Sequence, residues 1–218
     1  MIKLVIFDLD GTLLNSLEDL AASTNYALRR YGYPEHELPA YRYFVGNGID
    51  KLLERALPDA VRTPENVMKI KEDFVAYYAV HKADFTAPYA GIPELLGELK
   101  RQGILLAVAS NKYHEATVAL IPAYFGEGLF DFVFGQREGI AIKPDPTIVY
   151  DIIKAAGVRK EEVLYVGDSG VDMQTAVNSG VTSVGVTWGF RDREELLANG
   201  ARHVAESPLD ILARLNEI

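Results

Sequence analysis

Lys3-Leu4-Val5-Ile6-Phe7-Asp8-Leu9-Asp10-Gly11-Thr12 places two carboxylates directly behind an apolar run too short for anything but a buried strand. A strand that is apolar on both faces belongs to a parallel sheet covered by helices, and charge at its end lies where such a sheet stops. Side chains alternate along a strand, so Asp8 and Asp10 are expected to point the same way, with Gly11 permitting a sharp turn behind them. At about 4 Å and an effective dielectric near 20, such a pair repels by about 4 kcal/mol, so a cation or a proton must hold it together.

Beyond Thr12 the spacing turns helical. Leu17, Leu20, Ala21, Thr24, Leu28 and Tyr31 share one face, Ser16 and Asp19 are placed as a capping box, and Gly32 and Pro34 stop the run. Ile49, Leu52, Leu53, Ala56 and Leu57 form a second stripe ended by Pro58, and Thr63-Pro64 opens a third through Phe74, Val75 and Tyr78. No strand pattern interrupts this stretch. From Pro88 onward the patterns alternate: helix 93–101, strand 104–109, helix 115–124, strand 132–135, helix 146–156, strand 163–166, helix 171–179, strand 183–187, then helices near Glu194 and Leu209. Repeated βα units predict an α/β fold, a Rossmann-like parallel sheet in the order 3-2-1-4-5 with helices on both faces. Its core is expected from residues 1–14 and 84–218, with residues 15–83 as an inserted all-α cap domain joined by short hinges.

The 218 residues are 49% hydrophobic, ample for a buried core, and carry a formal charge of -9 with Lys and Arg scattered rather than gathered in a stripe. That distribution argues against nucleic acid as a partner. The absence of cysteine excludes disulfides, thiolate metal sites and thiol nucleophiles, and agrees with a reducing compartment, so a cytoplasmic location is expected. No apolar stretch approaches the roughly 20 residues of a membrane span, and no membrane partner is expected. His36, His81, His114 and His203 lie in separate elements without ligand spacing, which implies no zinc site.

Ligands of open parallel sheets bind beyond the carboxyl ends of the strands. Those positions hold Asp8, Asp10 and Thr12 after strand one, Ser110, Asn111 and Lys112 after strand two, and Lys143-Pro144-Asp145 in the loop after strand three. Gly167-Asp168-Ser169, with Asp172 four residues on from Asp168, follows strand four. So many carboxylates on one rim become tolerable around a hard divalent ion, and magnesium suits few protein oxygens together with water and phosphate. Lys143 facing that rim could neutralise a carboxylate and a phosphate oxygen at once. Plainer readings exist for single members: Asp168 as a helix cap, Asp172 as a solvated first-turn acid, Ser110-Asn111 as a turn, Thr12 as a turn hydroxyl, and Trp188 as core filler.

The ordered set Asp8-x-Asp10-Gly11-Thr12, Ser110, Lys143 and Gly167-Asp168-x-x-x-Asp172, with a helical insertion after the first motif, resembles the haloacid dehalogenase superfamily of phosphotransferases over essentially the whole chain. Val45-Gly46-Asn47-Gly48-Ile49, Leu106 to Lys112, and Val186-Thr187-Trp188-Gly189-Phe190 are similar to its phosphoglycolate phosphatase branch. The resemblance implies that Asp8 is the nucleophile and Asp10 the general acid and base. It implies magnesium held by the Asp8 carboxylate, the Asp10 carbonyl and Asp168, with Asp172 direct or through water. Phosphate would be held by Thr12, Ser110 and Asn111, charge balanced by Lys143, and substrate selected at Gly46, Asn47 and Gly48. The expected reaction is hydrolysis of a small phosphorylated metabolite, 2-phosphoglycolate first, by a monomer or homodimer. Pyrophosphate, nucleotide or sugar phosphate hydrolysis and a β-phosphoglucomutase-like reaction share the machinery, and a phospho-switch or ligand-binding protein is the non-enzymatic alternative. Asn15 stands where many relatives carry a third acid, and Leu20 where the mutase branch places a histidine, which tilts the reading toward a phosphatase.

Overall fold

The computed structural model describes residues 1–215, and residues 216–218, at the end of the expected core, lie outside the description. The chain runs β1 (Leu4–Phe7), β2 (Leu14–Asn15), α1 (Leu17–Arg30), α2 (Leu38–Phe44), α3 (Gly48–Ala56), α4 (Pro64–His81), β3 (Ala87–Pro88), α5 (Ile92–Arg101) and β4 (Leu105–Tyr113). It continues through α6 (His114–Phe125), β5 (Phe132–Gln136), α7 (Thr147–Ala156), β6 (Val163–Gly167), α8 (Gly170–Ser179), β7 (Thr182–Val186), α9 (Arg193–Ala198), β8 (His203–Ala205) and α10 (Asp210–Leu215). Two compact units result, residues 1–14 with 88 onward, and residues 15–87.

In the first unit six strands form one parallel sheet in the order β5-β4-β1-β6-β7-β8. The expected order 3-2-1-4-5 is thus extended by a sixth strand at the edge. β8 is only three residues, His203-Val204-Ala205, and carries no apolar run by which a sequence reading could find it. β1 lies at the centre, with Leu4 beside Leu105 on one side and Val163 on the other. Alternation sorts the side chains onto two faces. Val5, Phe7, Leu106, Val108, Leu164 and Val166 pack with Ile92, Leu95 and Leu99 of α5, Leu120 of α6 and Ile211 of α10. Leu4, Ile6, Ala107, Ala109, Val163 and Tyr165 pack on the other face with Ile148, Val149 and Ile152 of α7 and Ala176 of α8. Both faces being covered explains why Leu4 through Phe7 are completely buried and uniformly apolar.

The second unit is helical. Leu20, Ala21, Ala27 and Leu28 of α1, Leu52, Leu53 and Ala56 of α3, and Ile70, Phe74 and Tyr78 of α4 are its buried faces. α2 has no counterpart in the sequence pattern: its seven residues bury one side chain, Tyr41, too few to write a periodic stripe. Tyr41 is fixed by its hydroxyl, which donates to Asn25 Oδ1 at 2.6 Å. The expected capping box at Ser16 does not form. Asp19 instead accepts from the Phe85 and Thr86 N–H groups and from Thr86 Oγ1, at 3.1, 2.9 and 2.6 Å. These bonds also explain why the second unit ends at Ala87 rather than near residue 83.

Candidate active site

β1 delivers Asp8 one step beyond Ile6 in the alternation, on the side of Tyr165 and Ala109. Lys143 enters the same space from the loop before α7. Its Nζ donates to Asp8 Oδ1 at 2.8 Å, Asp172 Oδ1 at 2.7 Å, the Ala109 carbonyl at 2.9 Å and the Tyr165 hydroxyl at 3.1 Å. The Lys143 side chain is 2% exposed, Asp172 1% and Asp8 11%, so this is a buried ion network and not a surface pair. Burial pulls the ammonium down, but the carboxylates of Asp172 and Asp8 outweigh it and hold Lys143 well above its usual range.

Asp8, Asp168 and Asp172 each offer an oxygen within 4.8 Å of the others. Burial first, then the charge of Asp172, raises Asp8 to about 7 against the pull of Lys143. Asp168 is pushed well above the ordinary carboxylate range, again by burial, then by Asp172 and Asp8. It is held by Thr12 Oγ1, donating at 3.1 Å to Oδ1, and by the Phe190 N–H, donating at 2.8 Å to Oδ2. Close approach around it demands glycine: a Cβ at Gly11, which has φ +92°, or at Gly189 would collide with the Asp168 side chain. Ser169, not Asp168, caps α8, its Oγ accepting from the Asp172 N–H while Asp172 accepts from the Ser169 N–H. Asp172 is therefore neither a solvated acid nor only a cap; it joins the helix start to Lys143.

Asp10 does not lie in that carboxylate group. Strand geometry ends at Phe7, and the Leu9 carbonyl accepts from the Leu13 and Leu14 N–H groups, so the chain turns before alternation can bring Asp10 beside Asp8. Asp172 repels Asp8 more strongly than Asp10 does. Both Asp10 oxygens accept from Lys112 Nζ, at 3.1 and 3.0 Å. Ser110 Oγ accepts from the Lys112 N–H at 3.2 Å. Asn111 brackets the Lys143 backbone, accepting its N–H at 2.9 Å and donating to its carbonyl at 3.1 Å. Thr12, Ser110 and Asn111 thus all serve the acid and lysine framework.

Gly46, Asn47 and Gly48 belong to the helical unit, Gly46 and Asn47 in the turn between α2 and α3 and Gly48 as the first residue of α3. Asn47 Oδ1 accepts from Arg55 Nη2 at 2.8 Å, and the other arm of Arg55 donates to the Phe44 carbonyl at 2.9 Å. His114 accepts the Gly135 N–H at Nδ1, and Trp188 both packs on the core and donates from Nε1 to the Thr12 carbonyl at 3.0 Å. Sequence reasoning missed Tyr165 and the Phe190 N–H. A tyrosine inside Val163-Leu164-Tyr165-Val166 reads as core filler; only its hydroxyl, in a run otherwise free of polar atoms, hints at a buried partner.

An open parallel sheet with acids and a buried lysine gathered past the ends of β1, β5 and β6 has its ligand site where such sheets form one. Residues 5–186 match the haloacid dehalogenase-like hydrolase family. A phosphoglycolate phosphatase of Mannheimia succiniciproducens is 38% identical over 86% of this chain and 87% of its own. The crystal structure of a Haemophilus somnus chain predicted to be a phosphoglycolate phosphatase superposes with a TM-score of 0.91 at 32% identity, over 98% of both chains. One from Lactobacillus delbrueckii subsp. bulgaricus, with the same provisional description, gives 0.90 at 33% over 96% of both. The chain belongs to the haloacid dehalogenase-like hydrolase family and is an enzyme.

Proposed function

We propose that the chain is a magnesium-dependent phosphomonoesterase acting in the cytoplasm on a small metabolite, 2-phosphoglycolate being the favoured substrate. The observation that carries this reading is the buried group of Asp8, Asp168 and Asp172, with oxygens within 4.8 Å and Lys143 as the cation bonded to two of them. The relatives named phosphoglycolate phosphatase support the choice of substrate.

The residues fit a hard divalent ion. Oxygen donors alone line the group, and Asp8, raised to about 7 by burial and by Asp172, needs further positive charge to stay ionised. Asp8 and Asp168 would hold the ion, with the Asp10 carbonyl; each Asp172 oxygen already accepts two bonds, Oδ1 from Lys143 and Tyr165 and Oδ2 from the Ser169 N–H and hydroxyl, whereas each Asp168 oxygen accepts one, which favours contact of Asp172 through water. Bound magnesium supplies charge neutralisation for the phosphoryl oxygens.

Asp8 attacks phosphorus; the new Asp8 O–P bond forms as the ester P–O bond breaks, and Asp10 passes its proton to the departing alkoxide. Water then attacks the aspartyl-phosphate, gives its proton to Asp10, and frees phosphate and Asp8. Lys143 fixes one Asp8 oxygen, leaving the other for attack. The test is phosphate release from 2-phosphoglycolate, pyrophosphate, hexose phosphates and nucleotides, with magnesium and with chelator, beside Asp8→Asn. We expect magnesium-dependent turnover that peaks on 2-phosphoglycolate and falls by at least about a thousandfold in the variant. Near-normal turnover of Asp8→Asn would sink the covalent mechanism, and broad activity would discard the substrate.

A further inference from the structure

We infer that Lys112 receives the anionic end of the substrate, so that the enzyme selects phosphomonoesters bearing a carboxylate close to the ester oxygen. This rests on the phosphomonoesterase reading and adds a specificity-determining residue to it. The sheet register shifts between Ala109 and Tyr113 at the end of β4, and irregularities of this kind re-aim side chains at sheet ends. Here Lys112 Nζ lies on both oxygens of Asp10 at 3.1 and 3.0 Å, with side-chain exposures of 6% and 14%.

Two lysines serve this rim, and they differ. Lys143 is consumed by Asp8, Asp172, Tyr165 and the Ala109 carbonyl inside the protein. Lys112 holds Asp10, whose proposed task brings it to the ester oxygen. An ester oxygen bonded to Asp10 lies within two hydrogen-bond lengths, about 6 Å, of the ammonium. A carboxylate one carbon from that oxygen comes within reach of the ammonium, and a lysine head on its flexible stem can move from one carboxylate to another.

The test compares 2-phosphoglycolate with 2-hydroxyethyl phosphate, in which a hydroxymethyl group replaces the carboxylate, and with p-nitrophenyl phosphate. Wild type should favour 2-phosphoglycolate over the neutral-tailed ester in kcat/KM. Lys112→Gln should cut kcat/KM on 2-phosphoglycolate by about 30-fold or more, the scale of one charge-assisted bond, mostly through KM, and on 2-hydroxyethyl phosphate by no more than about fivefold. Lys112→Arg should recover part of the preference. Equal losses on both esters, or a wild type indifferent to the carboxylate, would overturn the inference while leaving phosphomonoesterase activity standing; the wild-type comparison needs no variant to fold. Phosphate released from none of the three esters would overturn the underlying reading as well.

Discussion

Lys143 is the residue on which the most buried charge depends. Two carboxylates accept from it inside the protein, and removing a buried ion's partner leaves those charges uncompensated at a cost of about 3–5 kcal/mol. Lys143→Met should therefore lower unfolding stability by that amount in urea titrations without metal, whereas a loss under about 1 kcal/mol would mean that Asp8 and Asp172 find protons or water instead. The acids at strand ends were legible because a charge directly after a fully apolar run has few structural explanations. Their lysine partners, Lys112 and Lys143, could be placed on the same rim because each follows a predicted strand of the sheet. The remaining partners could not: Tyr165 looks like packing, and the Phe190 N–H is a backbone group that no residue type announces.

Among the elements, long apolar strands and the stripes of α1, α3 and α4 could be read from spacing, whereas α2 and β8 were too short to repeat a period. The start of α1 departs from the capping-box expectation for a physical reason. Asp19 sits three residues past Ser16, as a capping box requires, yet the returning chain at Phe85 and Thr86 offers its carboxylate three donors in a buried setting. Asp19→Ala would leave those donors unsatisfied, and we expect a loss of about 2–3 kcal/mol together with faster hydrogen exchange at the Phe85 and Thr86 amides. Unchanged exchange there would show that α1 and the returning chain are held by packing alone.

For the whole molecule, the raised acids set how stability follows pH. A carboxyl group whose pKa rises on folding, as Asp8 does from 3.8 to about 7, lends stability that is complete below its ordinary value and lost as pH climbs through about 7. Asp168 acts in the same direction. Glu98 and Glu162, held down to about 2 chiefly by bonds to Arg101 and Arg159, stay ionised throughout that window and do not mask the effect. Metal-free protein should thus lose Tm between pH 5 and pH 8, and magnesium should restore more at pH 8 than at pH 5; calorimetry showing a metal-free Tm that rises over this range would contradict the assignment. The central place of β1 has a consequence for synthesis. Its neighbours pair at Leu105 and Val163, so at about 5–20 residues per second the strand that carries Asp8 waits about 5–20 s on the ribosome for its first partner, and longer for its second. The helices of residues 15–87 can collapse locally in the meantime, while four apolar residues beside the emerging chain remain open to chaperones.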